Sequence, residues 1–153
     1  MSAVFDNVKV DRTLWDRLRA KVKKLDRMYV KVGILASKGG EQTHPDSEMS
    51  LIEIMATHEF GSSDDRIPER RPLRKTFVDG DGPRRLGEVQ AKLAKQIITG
   101  NMEPEKALKI LGTWAVKEVK NTTRCFIGQR LSKVELDELM NTLNFNVTVK
   151  GAS

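Results

Sequence analysis

The spacing of apolar residues changes several times along this chain, and each change predicts an element of structure. Strict alternation of apolar and polar residues predicts strands at 29–36 and 145–149. Apolar residues three or four positions apart predict four helices, with the stripes Leu14-Leu18-Val22-Leu25, Leu51-Ile52-Met55, Leu86-Val89-Leu93-Ile97 and Ala107-Leu108-Leu111-Ala115-Val119. We therefore expect a single α+β domain over residues 1–153, in which helices pack on a small, mostly antiparallel sheet.

The ends of the second helix carry local signals. Ser50 and Glu53 are spaced as a capping box, and Gly61 lacks the Cβ that disfavours the backbone turn at which helices commonly stop. This helix should therefore run to Phe60. Residues 132–135 repeat the serine and glutamate of the box ahead of a further predicted helix.

A segment rich in proline and arginine follows at residues 62–75. Pro68 and Pro72 remove backbone donors and bias the residues before them towards extended geometry, which predicts a rigid exposed arm or an edge strand of the sheet. Because arginine can bind a carboxylate through two N–H groups at once, we expect this arginine-rich arm to contact an acidic neighbour; the alternative is a solvated face. The basic cluster of the arm and its continuation comprises Arg66, Arg70, Arg71, Arg74, Lys75, Arg84 and Arg85.

The loop at residues 37–49 has no periodic apolar pattern. Gly39, Gly40 and Pro45 supply turn chemistry, and a stretch of this length without secondary structure is typical of a mobile or interface segment. We expect a flexible loop that is disordered unless a neighbour orders it.

Composition and charge narrow the partners only in part. The chain has 27 basic and 21 acidic residues, and its net charge of +6 is compatible with a nucleic acid or an acidic protein partner. Aromatic residues make up only 5% of the chain and form no basic–aromatic run, which disfavours sequence-specific nucleic-acid binding. No apolar run approaches the roughly 20 residues of a membrane helix, so we expect a soluble protein with no membrane partner.

Motifs that could carry chemistry are incomplete. His58-Glu59 lacks a second histidine four residues on, where Ser62 stands, and the other histidine, His44, lies in the 37–49 loop. The acidic turn at 79–82 lacks the glutamate that a calcium loop needs at its twelfth position. The single cysteine, Cys125, excludes an internal disulfide and stands in no recognisable nucleophile motif. We therefore predict a protein that is not an enzyme and that binds no metal or cofactor.

The region from about residue 30 to residue 77 resembles the neck and tail-completion proteins of tailed bacteriophages. In that family a strand with a glycine, like Val30-Lys31-Val32-Gly33-Ile34, leads through a variable loop to a helix ending in Glu-Phe-Gly, and an Ile-Pro-x-Arg-Pro-Phe-Leu-Arg run follows. Arg71 stands where the family has a proline, and Pro72 stands where it has a phenylalanine. The residues that keep the pattern are Glu59, Phe60, Gly61, Ile67, Pro68, Arg70, Leu73 and Arg74.

The resemblance implies a structural virion protein that catalyses no reaction. Such a subunit would form a ring, expected to be a hexamer, that joins the tail to the head connector around the DNA channel, after assembly in the host cytoplasm. Its partners would be copies of itself, neck or connector proteins and the tail terminator or tail tube, with genomic DNA passing through the lumen without sequence specificity. Two alternatives are a tail-terminator ring that caps the tail tube and a basic nucleic-acid-binding regulator.

The resemblance also implies which residues make the contacts. The docking or channel loop would include Lys38, Gly39 and Gly40. The interface with other subunits or partners would include Glu59, Phe60, Gly61, Arg66, Ile67, Pro68, Arg70, Arg71, Pro72 and Arg74.

Overall fold

The computed structural model describes residues 12–43, 48–64, 66–126, 137 and 140–149. Within them two strands, β1 and β2, form a sheet against which the helices pack, so the predicted α+β class is confirmed. The strands are β1 (Met28–Ile34) and β2 (Leu143–Val149). The helices are α1 (Arg12–Asp26), a 3-10 helix (Ala36–Lys38), α2 (Leu51–Phe60), α3 (Pro72–Phe77), α4 (Gly82–Ile98) and α5 (Pro104–Phe126).

The sheet is an antiparallel pair covered by α5. The two strands pair along their whole lengths, with Val32 opposite Phe145, and α5 contacts both of them. Gly112 in the middle of α5 allows this approach, because a Cβ there would lie 2.2 Å from Cδ2 of Phe145. A glycine inside a helix costs roughly 0.5–1 kcal/mol relative to alanine, and the close contact between helix and sheet explains why one is present here.

The core lies where α2, α3 and α5 meet the sheet. Its buried centre is Met55, Val119, Met140 and Leu143, and the partly buried side chains packed against it are Val32, Ile34, Ile54, Leu73 and Phe77. Thr123 is also fully buried, and its hydroxyl donates to the carbonyl oxygen of Val119 at 2.7 Å, which satisfies the polar group. In contrast, α1 has no buried residue.

The predicted bounds of α2 are confirmed. The Ser50 hydroxyl accepts the Glu53 backbone N–H at 3.3 Å, and the Glu53 carboxylate accepts the Ser50 backbone N–H at 2.7 Å, which completes the capping box. The Ser50 backbone N–H and, at 2.8 Å, the Ser50 hydroxyl both donate to the Glu53 carboxylate, and these two bonds hold the pKa of Glu53 below its ordinary value. The helix ends at Phe60, as the glycine after it predicts. The second capping pattern, at 132–135, lies outside the described residues.

Residues 37–43 of the predicted flexible loop make backbone hydrogen bonds with the elements on either side. The backbone N–H of Gly40 donates to the Leu35 carbonyl oxygen at 3.1 Å, and the Gly40 carbonyl oxygen accepts the Ile52 N–H at 3.1 Å. Gly40 is buried, and a Cβ there would lie 2.8 Å from Cγ2 of Ile34. The glycine therefore lets this turn pack tightly between β1 and the start of α2. Residues 44–47 lie outside the described part of the chain.

Of the two alternatives predicted for residues 62–75, an exposed arm or an edge strand, the edge strand is wrong. The sheet of the described residues consists of β1 and β2, and α3 begins at Pro72. Proline fits the first position of a helix, where no intrahelical partner exists for a backbone N–H. Arg71, just before it, adopts the left-handed conformation (φ 52°, ψ 50°), which turns the chain from the loop into α3.

Candidate assembly interface at the end of α2

The α2–α3 loop (residues 61–71) starts with a turn that only glycine adopts without strain. Gly61 has φ 82° and donates its backbone N–H to the Thr57 carbonyl oxygen at 2.8 Å. A Cβ at this position would lie 3.3 Å from both the backbone nitrogen of Glu69 and the carbonyl oxygen of Ile67. The absence of a side chain therefore lets the far side of the loop return against the end of α2.

His58 binds the part of the loop that returns to α2. Its backbone carbonyl oxygen accepts the N–H groups of Arg70 and Arg71 at 3.0 and 3.2 Å. Its ring Nδ1 lies 2.8 Å from Nη1 of Arg70. Because a guanidinium group only donates, Nδ1 must accept, which places the proton of a neutral ring on Nε2. His58 is buried, so it holds the loop from the interior of the protein.

Glu59 caps α3 across the loop. Its carboxylate oxygens accept the backbone N–H of Leu73 at 2.8 Å and that of Arg74 at 3.1 Å. Both N–H groups belong to the first turn of a helix, where they have no intrahelical acceptor and where a negative charge is favoured. Glu59 is only 8% exposed. The carboxylate therefore fixes α3 relative to α2 instead of lying at the surface.

Internal hydrogen bonds also fix the tip of the loop. The Ser62 backbone N–H donates to the Ile67 carbonyl oxygen at 3.0 Å, and the Ser62 hydroxyl accepts the Ile67 N–H at 2.9 Å. The same hydroxyl donates to the Asp64 carboxylate at 2.6 Å, and this bond together with the Arg66 N–H holds the pKa of Asp64 below its ordinary value. The segment predicted to be a projecting arm is therefore a compact loop held against α2.

Most arginines of the basic cluster are paired within the chain. Distances between the paired nitrogen and carboxylate oxygen are 3.0 Å for Arg66–Asp64, 2.5 Å for Arg71–Glu69, 3.5 Å for Arg74–Asp79 and 2.6 Å for Arg84–Asp81. Arg84 also contacts Glu88, and Arg85 contacts Glu118 on α5. Arg71 holds the pKa of Glu69 below its ordinary value. Each exposed pair contributes little to stability, but it lowers the net charge that the cluster offers to an acidic partner.

The expected interface residues separate into exposed and internal groups. Phe60 is 77% exposed although it directly follows buried His58 and Glu59. Arg66 and Pro68 are exposed as well, while Gly61, Ile67, Arg70 and Arg71 are half-buried and Pro72 is buried. The two groups have different roles: buried Glu59 and Pro72 shape the loop, and Phe60, Arg66 and Pro68 form its accessible surface.

Only part of the expected docking loop lies at the surface of the protein. Lys38 is exposed at the end of the 3-10 helix, and Gly39 ends that helix with φ 87°. Gly40 is buried between β1 and α2. Of these three residues, Lys38 is the one whose side chain can reach a partner.

Sequence reasoning missed two features. It did not find that Glu59 caps α3, since no local pattern links a carboxylate to backbone groups fourteen and fifteen residues later. It also treated α1 as an ordinary packed helix, although Leu14 and Trp15 are 68% and 63% exposed. The sequence signal for this exposure was the high number of lysines and arginines on both sides of the apolar stripe of α1.

Neither a metal site nor a membrane-spanning helix is found among the residues that the structure describes. No group of three histidine, cysteine, aspartate or glutamate side chains in these ranges could hold a metal ion. None of the helices described is long and apolar enough to span a bilayer. Comparison with protein-family models, with curated proteins and with solved structures gave no match.

Proposed function

We propose that this chain is a structural virion protein of the neck or tail-completion region of a tailed bacteriophage. Its subunits would form a ring that joins the tail to the head connector around the DNA channel. In this proposal the ring contact is made by the exposed surface of the α2–α3 loop, centred on Phe60, while Glu59 positions that surface from within.

The exposure of Phe60 is the observation that carries the proposal. The side chain is 77% exposed at the end of α2, and the hydrogen bonds of His58 and Glu59 before it and of the Gly61 N–H after it fix the backbone on both sides. Burying a phenylalanine side chain contributes about 1.5–3 kcal/mol, and little conformational entropy is lost when the backbone is already fixed. In a closed ring the same contact repeats at every subunit boundary, which favours assembly from individually weak contacts.

Residues that match the phage family pattern have structural roles in the α2–α3 loop. Glu59 caps α3, Gly61 makes the turn after α2, and the Ile67 backbone bonds with Ser62. Glu59, Gly61 and Ile67, which keep the family pattern, thus help to build the loop that presents Phe60. This agreement between motif and structural role supports an assembly function over a coincidental match.

Oligomeric state and a matched pair of variants test the ring. Full-length protein should form a closed oligomer when its mass is measured by size-exclusion chromatography with light scattering. Phe60→Asp should yield monomer, whereas Ile110→Asp, which alters a 40% exposed apolar residue on α5, should leave the oligomer intact. Wild-type protein that stays monomeric at every concentration, or Phe60→Asp protein that assembles normally, contradicts the proposal.

Electron microscopy of lysates separates the two virion roles. Particles made without a joining protein should appear as unattached heads and tails, whereas loss of a tail terminator should give overlong tails. A nucleic-acid-binding regulator would leave particle shape unchanged and would bind duplex DNA in solution with an affinity that falls steeply as salt rises. Normal joined particles in a lysate that lacks this protein would rule out the joining role.

A further inference from the structure

An open groove lies between α1 and the carboxyl end of α4. It has a volume of about 600 Å³. Its apolar lining comes from Leu14, Trp15 and Leu18 on α1 and from Ile97 and Ile98 on α4. We call this feature the α1 groove.

The apolar side chains of the α1 groove are not used by the fold. Leu14, Trp15 and Ile98 are 68%, 63% and 60% exposed, and no residue of α1 is buried. A helix with an apolar face normally buries that face in the core. Three large apolar side chains that share one groove are instead the kind of exposed patch that marks a binding surface.

The helix that forms one wall of the α1 groove carries a large part of the positive charge of the protein. Residues 12–27 hold seven lysines and arginines against Asp16 and Asp26, a formal charge of +5 in a chain whose total is +6. Lys21 and Lys24 are bound to Glu103 and Glu105 at 2.8 and 2.9 Å, which ties α1 to the start of α5. Among the described residues no ion pair involves the remaining five, which are Arg12, Arg17, Arg19, Lys23 and Arg27.

This distribution changes where an acidic partner should bind. The arginines around the α2–α3 loop are largely neutralised by carboxylates of the same chain, whereas five of the seven cations at residues 12–27 have no ion pair within the described structure. Unpaired cations attract and orient an acidic partner more strongly than cations that already have a carboxylate. The lining of the α1 groove includes Arg17 and Lys21 but no carboxylate.

We propose that the α1 groove docks an acidic amphipathic helix of another protein. Apolar side chains of that helix would enter between Leu14, Trp15 and Ile98, and its carboxylates would face Arg17 and the other cations of α1. A helix laid in an apolar groove is a recurrent mode of recognition, with anchors three or four residues apart. This inference does not depend on the ring, because the groove and Phe60 are formed by different elements.

The chemistry of the groove favours a protein helix over the other possible occupants. Nucleic acid would place phosphates against leucine and isoleucine side chains, which offer no donors. A second copy that used the same surface would bring two strongly basic helices together, and like charges in contact oppose association. An acidic amphipathic helix matches both the apolar lining and the positive charge of α1.

The test uses full-length protein and a synthetic probe. The probe is a fluorescein-labelled helical peptide of 15 residues, the length of α1, with leucines three and four residues apart and glutamates on the opposite face. Binding is followed by fluorescence anisotropy of the peptide and by Trp15 emission in a Trp114→Phe background, so that Trp15 is the tryptophan that reports. The comparison probes are a peptide with lysine in place of glutamate and a short DNA duplex.

The expected result is selective binding at the groove. The acidic peptide should bind with a blue shift of Trp15 emission, and its affinity should fall with added salt, while the lysine peptide should not bind. Arg17→Glu should weaken binding about fivefold to tenfold, the size expected when an exposed ion pair becomes a like-charge pair. Lys92→Glu on α4, a matched charge reversal outside the groove lining, should have at most a small effect.

An Ile98→Ser variant tests the apolar part of the contact. Because Ile98 is 60% exposed, this variant should fold normally, yet it should bind the acidic peptide about tenfold more weakly if the side chain is an anchor. Equal binding of both peptides, or equal loss in Arg17→Glu and Lys92→Glu, overturns the proposal. The same holds if the duplex competes for the groove, or if Trp15 of the free protein already emits as a buried indole, since another occupant would then fill it.

Discussion

Replacing Glu59 by glutamine tests whether one carboxylate fixes the geometry of the candidate interface. The side chain keeps its size, but an amide offers one oxygen and places an NH2 group against a backbone N–H. One of the two bonds, to Leu73 or to Arg74, is therefore lost, and a partly buried donor is left without an acceptor. The negative charge at the start of α3 disappears as well.

The magnitude follows from the lost bond, for which two estimates of the same cost are available and are not added. A hydrogen bond to a charged group contributes about 1.5–3 kcal/mol, and an unsatisfied buried donor costs about 1–3 kcal/mol. Because Leu73 and Phe77 of α3 pack against the core, we expect the whole domain to be destabilised by about 2–3 kcal/mol. With a urea m-value of about 1–3 kcal/mol/M, the midpoint of unfolding should fall by about 0.7–3 M.

Urea unfolding followed by circular dichroism measures this change, with Glu69→Gln as the matched control. Glu69 lies in the same loop, but its carboxylate pairs with Arg71 at the surface, so its removal should leave the midpoint nearly unchanged. Hydrogen exchange at the Leu73 and Arg74 amides should speed up in Glu59→Gln alone. An unchanged midpoint for Glu59→Gln, or equal shifts for the two variants, would refute the role assigned to Glu59.

Three further predictions concern glycines and acid. Gly112→Val should lower the free energy of unfolding by about 1–3 kcal/mol through overpacking against Phe145, and normal stability would contradict the close contact between α5 and the sheet. Gly87→Ala in α4, where an added Cβ meets nothing within 4 Å, should raise thermal stability by about 0.5–1 kcal/mol; destabilisation would contradict it. Because the pKa of Glu53 is lowered by Ser50, its stabilising effect is present above the ordinary value of 4.5 and is lost as pH falls through the lowered pKa. The difference in urea midpoint between wild type and Glu53→Gln should therefore shrink with acidification, and a difference that does not vary with pH would oppose this reasoning.

Sequence reasoning succeeded where the cause of a structure lies within a few residues of its effect. The capping box of Ser50 and Glu53 and the stop before Gly61 depend on groups within one helical turn, so both ends of α2 could be predicted. Apolar residues alternate in the strands and recur every three or four positions in the long helices because one face of each element is apolar. The order of apolar residues in the sequence therefore predicts these elements.

The same reasoning failed where distant parts of the chain had to meet. Pro72 is compatible with an edge strand or with the start of a helix. Glu59 of α2 favours the helix, because its carboxylate accepts an N–H group of the first turn of α3. A row of arginines gives no sign of which ones will find a carboxylate: Arg85 reaches Glu118 on α5. An apolar stripe likewise shows that α1 is amphipathic, but the depth at which it packs depends on the rest of the fold. These are properties of tertiary contact, which a local pattern does not encode.

The pairing of β1 with β2 has a consequence for biosynthesis. Every helix from α2 to α5 is translated between these strands, so β1 leaves the ribosome long before its hydrogen-bonding partner exists. During that interval its backbone groups are open to other nascent chains, a known route to aggregation. Helical segments can form as they emerge, but the sheet must wait for the far strand, which makes its closure a late and slow step dominated by contacts distant in sequence.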